Sequence, residues 1–165
     1  TAALAMGDAL AVALLETRGF TAEDFARSHP AGTLGRRLLL HLGDIMHSGA
    51  AIPQVPQGTL LRDVLMEMSR KGLGMSAVVD PGGCVAGIYT DGDLRRTLDR
   101  NVDIHVTPVD LVMTPHPVTC PPNILAATAL QIMERRKINA LLVVDADGRL
   151  VGASNMHDLL RAGVV

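Results

Sequence analysis

Val79-Asp80-Pro81-Gly82-Gly83-Cys84-Val85-Ala86-Gly87-Ile88-Tyr89-Thr90-Asp91-Gly92-Asp93-Leu94 decides the fold, because the chain writes its pattern twice. Displaced by 65 residues, Val144-Asp145 repeats Val79-Asp80, Gly148 repeats Gly83, Gly152 repeats Gly87, and Asp158-Leu159 repeats Asp93-Leu94. The register extends upstream without a gap: Met68 falls on Met133, and Pro56 on Pro121. Earlier still, Asp44-Ile45-Met46 resembles Leu111-Val112-Met113 after a small change in spacing. Self-similarity of this kind marks one supersecondary unit used twice.

Each copy reads β-α-β-β-α. The first strand is expected at Ile52–Val55 and at Pro117–Cys120. The first helix is expected at Leu60–Lys71 and Ile124–Lys137. Leu61, Val64, Leu65 and Met68, and then Ala126, Ala129, Leu130 and Met133, form the stripe of an amphipathic helix. Gly72 and Gly74 end the first of these helices. A hairpin follows, Ser76–Asp80 with Val85–Tyr89, or Ala140–Asp145 with Leu150–Ser154. Asp, Pro and Gly supply the turns. A closing helix is expected at Gly92–Arg100 and Met156–Ala162. One copy is too small to bury its own sheet face, so the two should pack together as a pseudo-twofold α+β module with clefts at their interface.

Residues 1–42 read differently. Helices are expected at Ala2–Arg18, from Thr21 through Ser28, and at Gly35–Leu42. This segment offers too little partner surface to be a domain. Thr1 falls inside a helical pattern with no start signal, so the chain reads as a piece of a longer protein. The expected division is 1–42 as an incomplete helical tail, 43–105 as the first repeat and 106–165 as the second.

Composition narrows the function. Lys+Arg is 15 against Asp+Glu 17, a net charge of -2, which argues against nucleic acid and against a polybasic membrane surface. Aromatic residues are 2% of the 165, too few to build base-stacking platforms. No apolar run approaches a membrane span. Cys84 and Cys120 have no metal spacing and read as reduced thiols of a cytoplasmic protein.

The repeats are similar to a tandem pair of CBS motifs over about Gly43–Val165. Met113-Thr114-Pro115, the hairpin pattern and the Gly87–Asp93 string carry the likeness. That string fits the Gly-h-x-Thr/Ser-x-x-Asp pattern of nucleotide-binding CBS motifs. The resemblance implies that Asp93 accepts hydrogen bonds from a ribose diol and that Thr90 helps hold a phosphate. Taken alone, the spacing reads first as a helix cap, and it is the repeat and the resemblance that turn it toward a ligand. In the second copy Asp158 is retained, but Asn155 stands where Thr90 does.

Tyr89–Arg96 and Asn155–Val165 further resemble the C-terminal half of bacterial arabinose-5-phosphate isomerases. That family joins a SIS sugar-isomerase domain to a CBS pair and serves the pathway to Kdo. Gly7–Ala11 and Phe25-Ala26-Arg27-Ser28-His29-Pro30 are similar to the tail of the SIS domain. The resemblance implies that His29 is an active-site residue of the intact enzyme, moving protons in an aldose–ketose isomerisation. The partners of His29 would lie upstream of Thr1, so the chain alone should be inactive. It implies no required cofactor, a regulatory ligand that is CMP-Kdo or an adenine nucleotide, and a homodimer or homotetramer built with the chain's own SIS domain. The alternative is a structural CBS pair that supports assembly without a ligand. The linker at about Leu38–Met46 is where a bistable element would sit. His116 has two readings, a cleft-lining residue or an exposed loop histidine.

Overall fold

The computed structural model describes residues 39–164. The expected helices of residues 2–28, and His29 with them, lie outside the described residues. The third expected helix does not continue to Leu42. His41 is extended, with φ -89° and ψ 155°, and a one-turn helix α1, Leu42–Ile45, starts after it.

Two repeats follow. The first holds β1 (Gln54–Pro56), α2 (Leu61–Lys71), β2 (Met75–Val79), β3 (Val85–Thr90) and α3 (Asp91–Asp99). A linker then forms β4 (Thr114–Pro115). The second repeat holds β5 (Thr119–Cys120), α4 (Ala126–Arg136), β6 (Ala140–Val144), β7 (Leu150–Asn155) and α5 (Met156–Arg161). In each, a parallel pair bridged by a helix joins an antiparallel hairpin: β1-β2-β3 and β5-β6-β7. The ladders shift register at Val78/Val79 and again at Val143/Val144, the same place in both copies.

The pseudo-twofold is written in hydrogen bonds. The two hairpin turns meet, with Leu150 N donating to Gly83 O at 3.0 Å and Val85 N donating to Gly148 O at 3.4 Å. Each bond is the other moved by one repeat. Arg149 Nη1 adds a 2.6 Å bond to Gly82 O.

The segments before the repeats are exchanged. Thr114 and Pro115, which precede the second repeat, pair with Ile88 and Gly87 of the first. His47, which precedes the first, pairs with Ala153 of the second. Leu42 is fully buried against the second repeat, and its counterpart Val109 is fully buried in the first. Glycine makes the exchange possible. A Cβ on Gly87 would run into Met113, and one on Gly152 into Met46.

Alternation along the strands sorts three cores. Val78 and Tyr89 pack under α2 with Val64 and Met68. Leu141 and Val143 pack under α4 with Ala129 and Met133. On the opposite faces Met75, Ala77 and Ile88 of one sheet meet Leu142 and Ala153 of the other. The layers are therefore helix, sheet, sheet, helix. Cys120 is buried, and burial pushes its thiol up to about 11, so it stays protonated near neutral pH.

One defect in the symmetry gives a test. Gly72 ends α2 at φ 69°, and Lys137 ends α4 at φ 54°. The left-handed region costs a residue with a Cβ roughly 1 kcal/mol, and glycine is free of that cost. Lys137→Gly should therefore raise the melting temperature by roughly 2–5 °C in a calorimetric scan.

Candidate functional site

The cap that opens α3 organises the site. Thr90 ends β3 in extended conformation and is the residue before the helix. Its hydroxyl accepts from Asp93 N at 3.3 Å, and Asp93 Oδ2 accepts from Thr90 N at 2.9 Å. This is a reciprocal capping box, which satisfies two helix-end donors at once. Tyr89, buried below, donates its hydroxyl to Thr97 at 2.9 Å, and Thr97 donates to Asp93 O at 2.8 Å. Burial raises the Tyr89 phenol above its usual value.

Asp93 is 3% exposed and its carboxylate accepts four donors. Oδ2 takes Thr90 N at 2.9 Å and Thr90 Oγ1 at 2.6 Å. Oδ1 takes Arg96 Nη2 at 2.6 Å and Thr114 Oγ1 at 3.0 Å. The Arg96 side chain is 61% exposed, so it can leave for water at small cost. Thr114 arrives on β4, from the exchanged linker.

The second repeat is built to the same plan. Asn155 ends β7, accepts from Asp158 N at 3.1 Å, and gives its own N–H to Asp158 Oδ2 at 2.9 Å. The partner of Asp158 Oδ1 differs. It is His47 Nε2 at 3.1 Å, from the segment that pairs with β7. A carboxylate only accepts, so the Nε2–H donates.

A cleft of about 870 Å³ opens between the repeats. Thr90, Asp93, Thr114, His116, Lys137 and Asn155 are among the residues lining it. The structure thus brings Thr90, Asp93 and Asn155 to one cavity, while Asp158 is not part of its lining. His116 satisfies both of its readings, exposed and at the cleft edge. It sits at φ 47°, a left-handed conformation its counterpart Gly49 adopts freely at φ 54°. Arg96 and Lys137 give the cleft cationic groups suited to an anionic ligand. Among the described residues no cluster of His, Cys, Asp and Glu is arranged for a metal, and no helix is long and apolar enough to cross a membrane.

Thr114, the Arg96–Asp93 pair and His47 were not visible as site residues in the sequence. One signal was present: Met46 and Met113 correspond, which makes His47 and Thr114 corresponding residues too.

The CBS domain family matches residues 42–100 and 109–164. The chain is 64% identical over its 165 residues to the arabinose 5-phosphate isomerase KdsD of Pseudomonas aeruginosa, covering 51% of that protein. It is 55% identical over the same length to KdsD of Escherichia coli, covering 50% of it. The chain spans about half the length of the curated relatives it matches. Among solved structures it is similar to CBSX2 in complex with AMP, at TM-score 0.65 and 25% identity, over 76% of this chain and 96% of that one. It shares its fold with a CBS domain protein of Pyrobaculum aerophilum complexed with AMP, at TM-score 0.67 and 18% identity, over 76% and 100% of the two chains.

Proposed function

The chain belongs to the CBS-domain family, and from that premise we propose that it is the regulatory ligand-binding pair of an arabinose 5-phosphate isomerase. The Thr90–Asp93 cleft takes a ribonucleotide. The observation that carries this is Asp93 itself, a carboxylate at a cleft wall whose Oδ1 is held by two replaceable donors. A ribose diol offers two hydroxyls and can replace Arg96 and Thr114 one for one, so the buried carboxylate remains satisfied. Arg96, once released, stands beside Lys137 as a partner for phosphate. The cleft volume is within the range of small-molecule sites. AMP in CBSX2 supports the adenine form of this reading. CMP-Kdo, the other candidate, presents the same ribose and phosphate, and its place downstream of the isomerase would make the pair a feedback sensor.

In the whole protein the isomerase would interconvert ribulose 5-phosphate and arabinose 5-phosphate, with His29 moving protons. The chain alone would be inactive. It would assemble as a homodimer or homotetramer with its own SIS domain, and the linker Leu38–Met46 would carry the signal. Such transmission requires that the ligand bind two arrangements of the module unequally.

A second reading has its own observation. The Thr90–Asp93 cap is complete without a ligand, as a purely structural pair supporting assembly would require.

A thermal-shift panel with AMP, ATP, CMP and CMP-Kdo separates the two. A ligand at 100 times its dissociation constant stabilises by about 2.7 kcal/mol, or roughly 8–15 °C for a unit of this size. Asp93→Ala keeps the Thr90 cap but loses the carboxylate half of the capping box, and it is less stable by itself by about 1–2 kcal/mol. Its ligand shift must therefore be read against its own unliganded melt, where we expect none. No shift of the unaltered chain with any of the four would favour the structural pair.

A further inference from the structure

The repeats use the same carboxylate differently. In the first, Asp93 faces the open cleft and its Oδ1 is held by a hydroxyl and an exposed guanidinium. In the second, Asp158 Oδ1 is held by the His47 imidazole, and neither residue lines the cleft. His47 and Thr114 are corresponding residues, each opposite the same position of the neighbouring hairpin strand.

We propose that the pair takes one ligand rather than two, because His47 occupies the second half-site from within, while Asn155, at the edge shared with the open cleft, is bonded across it to Leu73. This rests on the reading of the open cleft as a nucleotide site. Three contacts close the twin. His47 holds Asp158, the Asn155 amide donates to Leu73 O at 3.5 Å, and Lys71 Nζ donates to Ala50 O. Each ties together two segments that a ligand would have to part. The two closures also differ in how easily they yield. A threonine hydroxyl turns away by rotating one bond, and the exposed Arg96 retreats into water. The His47 ring is bulkier than a hydroxyl, and its withdrawal would leave Asp158 Oδ1, on a side chain only 11% exposed, without that donor.

The same closure fastens the lead-in segment. Leu40–Ser48 is held to the second repeat by Leu42 N to Ile124 O, Gly43 N to Pro122 O and Ala126 N to Leu40 O, besides the His47 contacts. His47 is therefore both the internal occupant of one half-site and the last clasp of the linker.

Titration calorimetry of the chain with AMP and with CMP tests this. The expected result is one nucleotide per chain for whichever binds. The double variant His47→Thr with Asn155→Thr gives the second half-site the residues of the first and retains a capping hydroxyl. It should bind two per chain, with an unchanged circular-dichroism spectrum. Two nucleotides per unaltered chain would overturn the proposal. So would a folded double variant that still binds one. Should the double variant not fold, the nitrogen-15 imidazole signals of His47 in the unaltered chain decide: unmoved at saturation supports internal occupancy, and a shift matching that of the Thr114 amide overturns it. No binding of either nucleotide by the unaltered chain would overturn the nucleotide reading, and this inference with it.

Discussion

Leu142→Ala lowers the stability of the pair by about 2–5 kcal/mol, the usual cost of emptying a leucine from a closed core. Leu142 is fully buried on the face where the two sheets meet. Its counterpart in the first repeat is Ala77, and the counterpart of Ala153 is Ile88. The strand pairs are Ala77 with Ile88 and Leu142 with Ala153. Each sheet thus offers one large and one small residue, in opposite order, and close packing needs that alternation. Removing Leu142 leaves small residues at both positions of the second sheet, so neighbours have little with which to refill the space. A calorimetric scan should show a fall in melting temperature of roughly 8–20 °C. A fall under roughly 3 °C would mean that the sheets do not share this core.

Gly152→Val is the second large effect. A Cβ there would run into the Met46 thioether and stand 3.2 Å from the His47 carbonyl oxygen. Methionine can bend away, but the carbonyl belongs to the backbone pairing with Ala153. Overpacking of this kind costs about 1–3 kcal/mol, and parting the His47–Ala153 bonds adds to it. The effect should be local as well as global. Amide exchange at His47 and Ala153 should quicken at least tenfold more than exchange in β2, because the first repeat keeps its own lead-in pairing through Thr114. Equal acceleration everywhere would contradict the separate fastening of the two segments.

The elements carried by local chemistry were legible in the sequence. Helix stripes placed α2 and α4 within two residues, and Asp80–Gly83 and Asp145–Gly148 placed both hairpins. The repeat predicted two copies around a pseudo-twofold, and the Leu150–Gly83 and Val85–Gly148 bonds are its realisation. What escaped is non-local. Thr114–Pro115 is a two-residue strand, too short for any alternation to show, and its partner is fixed only by the fold. The expected strand at Ile52–Val55 lies instead at Gln54–Pro56, because Gly49–Ala51 forms a 3-10 turn that Ile52 closes. Of the candidate site, Thr90 and Asp93 were visible as a spaced pair, since a cap is local chemistry. Arg96 follows Asp93 by three residues, but sequence alone offers it water as readily as a carboxylate. Thr114 and His47 reach their aspartates only through the exchanged segments, and nothing near them in the chain announces it.

That exchange bears on how the chain is made. His47 precedes Asp158 by 111 residues. At a synthesis rate of about 5–20 residues per second, the lead-in segment waits roughly 5–20 seconds for its partner to leave the ribosome. During that interval Leu42 has no second repeat to bury it. Until the last strand and helix are translated, Leu40–His47 therefore lacks part of the surface that fastens it. The order of synthesis makes the clasp on the linker the final step of assembly.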